Sequence, residues 1–210
     1  MQMRLSKTLA ALPLLLIGTS AGAQMMGQTR TTLLNGDFKA LKGEAEVDVV
    51  FTYEGMLVGN GLTNDQYVTK KTKELNDKEA GRGDKWAGDW VGDRAQLYHP
   101  KFFELYNKVM DGKQKASENN SGAKYRLIVK TVSTEPGYNI GISRVPASIG
   151  ATIQLVEIAN PDVVLGEVAI TNVPGSNAMG FDYDTGGRIA ECYAKLGKEI
   201  SNWMIKKQWK

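Results

Sequence analysis

GFDYDTGGRIAECYAKLGKEISNWMIKK, residues 180–207, decides the fold. Its first half holds Asp184-Thr185-Gly186, the triplet with which aspartic proteases present a catalytic carboxylate. Its second half spaces Ile189, Cys192, Tyr193, Leu196, Ile200, Trp203 and Met204 by three and four residues, the apolar stripe of an amphipathic helix. An aspartic protease needs two such loops sharing one proton, each set in β-structure. A single triplet followed at once by a helix reads instead as a helix start. Asp184 or Thr185 accepts backbone N–H bonds there. Asp182 and Asp184 suit the positive end of the helix dipole, and Lys206, Lys207 and Lys210 its negative end. Gly197 lies on or near the stripe. Glycine costs a helix on the order of 1 kcal/mol relative to alanine, so a packing reason is expected, and the reading is a close approach of this helix to a sheet.

Upstream, three strands come in a row. YRLIVKTVST (125–134) sets Leu127 and Val129 against Arg126, Ile128 and Lys130. SIGATIQLVEI (148–158) puts Ile149, Ala151, Ile153 and Leu155 on one face, and VVLGEVAITNV (163–173) returns beside it. Asn160-Pro161-Asp162 supplies the turn of this hairpin. The long loop EPGYNIGISRVPA (135–147) precedes it. Further back, AEVDVVFTYEGM (45–56) alternates Val47, Val49, Phe51 and Tyr53 with Asp48, Thr52 and Glu54, a half-buried strand. Thr63 and Gln66 stand at capping-box spacing, which starts a polar helix near Asn64. A second helical region covers 85–112. Pro100 divides it into two short helices, because a proline disfavours helical geometry in the residue before it and fits a first turn. Phe102, Leu105, Tyr106 and Val109 then point inward. The expected architecture is α+β: a mixed sheet of four to five strands, helices packed mainly on one face, and a closing C-terminal helix.

The N-terminus, MQMRLSKTLAALPLLLIGTSAGAQ, has the basic start, short apolar run and small-residue site (Ala21-Gly22-Ala23) of a secretory signal peptide. Residues 1–23 are read as that signal, 24–46 as a polar lead-in attached through Phe38 and Leu41, and 47–210 as one α+β domain. The run is short for a membrane span, and no later stretch reaches that length. No cysteine stands directly after it to take a lipid, so the mature chain is expected to be exported, periplasmic or secreted, soluble and not lipidated. Cleavage removes Arg4 and Lys7 and no acid, which takes the formal charge from +3 to +1. Near-neutrality argues against a nucleic-acid partner. One cysteine means no internal disulfide, so packing must supply the stability.

Chemical motifs are sparse. His99 is the single histidine, which excludes zinc sites built on several histidines, and no cysteine cluster replaces them. His99 precedes a proline and has no nucleophile motif beside it, so it reads as a structural imidazole between two helices. Cys192 lies on the buried stripe, a small core residue rather than a thiolate nucleophile. No cofactor and no metal is expected. Tyr138, Asn139 and Arg144, on the loop held between strands, form the candidate binding surface. Trp86 and Trp90, four apart, are core contacts or line a groove.

The order of elements in ATIQLVEIANPDVVLGEV and the following helix resembles small periplasmic domains grouped with the N-terminal domain of TolB and with LpoB. DRAQLYHPKFFELYNK and KTVSTEPGYNIGISRVPA resemble a set of uncharacterised exported bacterial proteins. These resemblances imply an envelope module and assign no functional residue. The function read from the sequence is therefore a non-enzymatic exported binding or assembly module of the cell envelope, with an envelope protein or cell-wall component as partner. Two alternatives stand beside it. One is a hydrolase using a carboxylate pair drawn from Glu54, Asp65, Asp89 and Asp93. The other is a purely structural, self-associating subunit.

Overall fold

Alternation of apolar and polar side chains in residues 125–134 suits the middle of a sheet. The computed structural model, which describes residues 27–139, 144–175 and 184–210, places that segment there. The signal segment, Asp182 and residues 140–143 of the long loop lie outside the described residues. In chain order the strands are β1 (Arg30–Gly36), β2 (Glu46–Thr52), β3 (Leu57–Val58), β4 (Leu62–Thr63), β5 (Lys115–Ser117), β6 (Tyr125–Glu135), β7 (Tyr138–Asn139), β8 (Arg144–Val145), β9 (Ser148–Glu157) and β10 (Asn160–Pro174). The helices are α1 (Asn64–Asn76), α2 (Arg82–Asp93), α3 (His99–Met110) and α4 (Thr185–Trp203). A π-helical turn, Arg94–Tyr98, joins α2 to α3 without a break, and a second, Met204–Gln208, extends α4.

The main sheet has eight strands rather than four or five, in the order β1-β10-β9-β6-β2-β5, with β3 beside β6 and β4 beside β3. It is mixed: β2 runs parallel to β5 and β6, whereas β6, β9, β10 and β1 pair antiparallel. The additional strands had no pattern to announce them. β1 lies in the polar lead-in and is exposed at six of its seven positions. It holds on as an edge strand through backbone bonds to β10. β3, β4 and β5 are two or three residues long, too short for a period of two to register.

The hairpin turn also moves. Glu157 pairs with Asn160, so Ile158 and Ala159 make the turn and Pro161-Asp162 fall in an irregular start of β10. Proline is tolerated there because a disrupted ladder does not need its missing N–H. The two-helix reading of 85–112 holds, with Pro100 in the first turn of α3. Phe102, Tyr106 and Met110 are its buried residues, and Leu105 and Val109 are only half-buried.

Val47, Val49, Leu127, Val129, Ile153, Leu155, Val168 and Ile170 bury one sheet face. Val50, on the other, is partly exposed. The helices cover the buried face, and Phe51 meets the rings of Phe102, Phe103 and Tyr193 across it. α4 carries the predicted stripe, with Ile189, Cys192, Tyr193, Leu196, Ile200 and Met204 buried. Gly197 does have a packing reason, but its partner is a helix and not the sheet. A Cβ at Gly197 would stand 2.3 Å from the Phe102 carbonyl oxygen, so glycine lets α4 lie directly on the α3 backbone. The chain end then clamps the lead-in. Trp209 Nε1 donates to the Phe38 carbonyl at 3.0 Å, the Phe38 N–H donates to Gln208 Oε1 at 3.1 Å, and Phe38 and Leu41 are fully buried.

Candidate functional site

Asp184 is the cap of α4. Its two carboxylate oxygens accept from the N–H groups of Gly186, at 3.3 Å, and Gly187, at 2.8 Å. Asp93 packs against the same helix start, where a Cβ on Gly186 would meet its Oδ2 at 2.1 Å. Burial raises the Asp93 carboxyl above its usual range, and the negative charges of Asp184 and Asp89 add to the rise. Asp184 holds backbone N–H groups, and Asp93 is pressed on glycine. Glu54 and Asp65, both exposed, line a cavity of about 290 Å³ with Tyr53 and Thr63. Asp89 bonds Lys85 at 2.5 Å on the exposed side of α2. Cys192 is buried, and burial pushes its thiol up to about 12. Among the described residues, no group of three or more His, Cys, Asp or Glu side chains is placed to hold a metal ion.

A larger cavity, about 570 Å³, opens between two short hairpins. α1 forms one wall through Tyr67, Lys70, Lys71 and Glu74, and β3 gives the base through Val58 and Gly59. Glu135, at the end of β6, and Tyr138 and Val145, from the β7–β8 ribbon, close the other side. The wall is stiff for local reasons. The Thr63 hydroxyl accepts from the Gln66 N–H and the Gln66 side chain accepts from the Thr63 N–H, a complete capping box at the start of α1. Behind Tyr67, Trp86 and Trp90 stack at 5.5 Å, and Trp90 Nε1 donates to Asn64 Oδ1 at 3.0 Å. Both tryptophans thus contact the groove only through Tyr67, which they support.

The far side is held by Arg188, a buried residue of α4. Its Nε and Nη2 donate to the Pro136 carbonyl at 3.3 and 3.2 Å, and Nη2 reaches Gly137 O and Thr185 Oγ1. That fixes the approach to β7. Tyr138 pairs with Val145 and Asn139 with Arg144, and the Tyr138 side chain is 45% exposed. Charge inside the groove is balanced. Lys70 and Lys71 lie 4.0 and 3.7 Å from Glu74. Glu135 Oε1 accepts from the Gly137 N–H at 3.0 Å. Burial, then the carboxylates of Glu135 and Glu74, push the Tyr67 hydroxyl up to about 12, so it stays a neutral donor.

His99 occupies a third place, at the helix–sheet interface. Its ring stacks on Phe51 at 4.0 Å, Nε2 lies 3.0 Å from the Tyr53 hydroxyl, and Nδ1 lies 2.8 Å from Glu118 Oε1. Tyr53, Glu118, Tyr67, Glu135 and Arg188 were not legible as site residues. The signal for Arg188 was faint but present: it sits one residue from the α4 stripe, where a charged side chain must find buried partners.

No family model and no curated protein matches the chain. Solved structures with low similarity include the PelC dodecamer from Paraburkholderia phytofirmans. It is 11% identical over 81% of this chain and 96% of that one, with a TM-score of 0.37. Another is a Xanthomonas campestris protein matched to the DUF330 family model, 11% identical over 80% of this chain and 89% of that one, with a TM-score of 0.35. Similarity at this level says nothing about function. The resemblance of element order to TolB and LpoB domains gains no support from them.

Proposed function

We propose that the protein is a non-enzymatic, exported binding or assembly module of the cell envelope, and that its working surface is the groove between the β3–β4 and β7–β8 hairpins. The export assignment comes from the signal segment at residues 1–23. No helix among the described residues is long and apolar enough to cross a membrane. One observation carries the functional reading. Tyr138, on the loop the sequence marks for binding, stands across a cavity of about 570 Å³ from Tyr67. The cavity size falls in the range of sites that bury a small ligand or a short chain segment. Two tyrosines offer ring faces and hydroxyls, and the lysines and glutamates offset each other. Such a lining favours an occupant that is uncharged overall and rich in hydrogen-bonding groups, because a net charge would have to compete with existing pairs.

The test is a photo-crosslinking residue placed at position 138 in the intact, exported protein. A discrete adduct is expected from that site and not from position 163, an exposed residue beyond the β9–β10 turn. Identical adducts from both positions, or none from position 138, would remove the groove from consideration.

A further inference from the structure

A single line of polar contacts runs from the surface into the core beside α1. Glu118 Oε1 lies 2.8 Å from His99 Nδ1 without hydrogen-bond geometry, His99 Nε2 meets the Tyr53 hydroxyl at 3.0 Å, and Tyr53 and Tyr193 border one small cavity. The Tyr193 hydroxyl in turn lies 2.6 Å from Thr131 Oγ1. Stacking on Phe51, with 9° between the rings, keeps the imidazole from turning away. With His99 neutral and its proton on Nδ1, the Tyr53 hydroxyl donates to Nε2.

A proton added at Nε2 reverses this bond. Both ring nitrogens become donors, so Tyr53 must accept from His99 and turn its own hydrogen away from the ring. No bond to carbon forms or breaks; one proton enters from solvent on the Nε2 side, where Tyr53 lines the cavity of about 290 Å³. The new charge also faces Arg94. That guanidinium lies 4.1 Å over the Tyr53 ring and donates to Asn64 Oδ1 at 3.2 Å, the same oxygen that accepts from Trp90. Asn64 is the first residue of α1, the groove wall.

We infer that His99 is a proton-operated control of the groove: its protonation reverses its hydrogen bond with Tyr53, pushes Arg94 off Asn64, and loosens the α1 wall that carries Tyr67 and Lys71. This rests on the groove being the binding site. The groups that face His99 are Glu118 from the segment between β5 and β6, Tyr53 from the end of β2, and Arg94 from the π turn, with Tyr193 of α4 behind Tyr53. Glu118 favours the proton; burial and Arg94 oppose it, and burial is the largest influence, so uptake falls below the ordinary histidine value.

Because the chain has one histidine, its imidazole can be followed by NMR without assignment ambiguity. The full mature chain is titrated from pH 7.5 to 4.5 while the Trp90 indole N–H and the α1 amides are read in parallel. They are expected to move with the same midpoint as the imidazole. In Glu118→Gln, all of them should shift together to lower pH by about one unit, the scale of one nearby charge. His99→Gln should leave the indole and α1 signals flat over that range. If the imidazole titrates while Trp90 and α1 stay still, or if their midpoint ignores Glu118→Gln, the inference is overturned. The position-138 crosslink separates the two readings: a yield that is unchanged from pH 7.5 to 5 removes the control and leaves the groove, whereas no adduct at any pH removes the groove itself.

Discussion

The two ends of β6 are built differently. From Tyr125 to Thr131 the strand lies between β2 and β9, and its inward side chains are sealed by α3 and α4. From Ser133 to Glu135 it has only the two-residue β3 on one side, and it runs on into the β7–β8 ribbon at the groove. The first end is held by large apolar side chains and a helix pair touching backbone to backbone. The second is held by caps, one arginine and short ribbons. The proposed binding surface lies at the second end, where residues can change without opening the core. The first end supplies the rigidity from which that surface is hung.

Substitutions should sort by end. The largest effect is expected at the sealed end, where Leu127→Ala removes a fully buried side chain and should cost about 2–5 kcal/mol in urea unfolding. Gly197→Ala comes next. Its Cβ meets the Phe102 carbonyl rather than a flexible side chain, so a loss of about 1–3 kcal/mol is expected. A cost under about 0.5 kcal/mol would show that α4 and α3 are not in that close contact. Asp184→Ala should cost about 1 kcal/mol as a lost cap, with Asp184→Ser retaining most of it. At the groove end, Lys71→Ala should change stability by no more than about 0.5 kcal/mol.

Two pH effects sharpen the same contrast. His99 has a folded pKa below its unfolded value of 6.5. Its neutral form therefore supports the fold fully above that value, and stability declines as pH falls from 6.5 toward the lower, folded pKa. His99→Gln should lack that decline. Asp93 has the opposite sign. Its folded pKa is raised above 3.8, so its ionised form weakens the fold at neutral pH and the penalty disappears in acid. Asp93→Asn should raise the melting temperature at pH 7 and give no gain below pH 4.

Legibility in the sequence follows the same division. The α4 stripe, the α1 capping box, the alternation in β2, β6 and β9 and the burial of Phe38 and Leu41 all come from repeated or paired signals, and the structure contains each. What was hidden depends on single residues meeting across the fold. β1 is an exposed polar edge that pairs through its backbone, which no side-chain pattern encodes. The Gly197 contact was expected, but choosing α3 over the sheet needs the crossing of two helices. Tyr138 stood out because it lies on a long loop between strands. Tyr67, Glu135 and Arg188 did not, since they come from a weakly patterned helix, a strand end and a helix start, and only the folded chain gathers them.

The affinity of the partner recovered by the position-138 crosslink, measured for the wild-type chain and for Tyr67→Ala, Lys71→Glu and Glu135→Lys, tests the groove most directly. The account predicts at least about a tenfold loss, roughly 1.4 kcal/mol, in each variant, with binding unchanged in Val163→Ala and melting temperatures held for Lys71→Glu. Unchanged affinity across all three groove variants would contradict it.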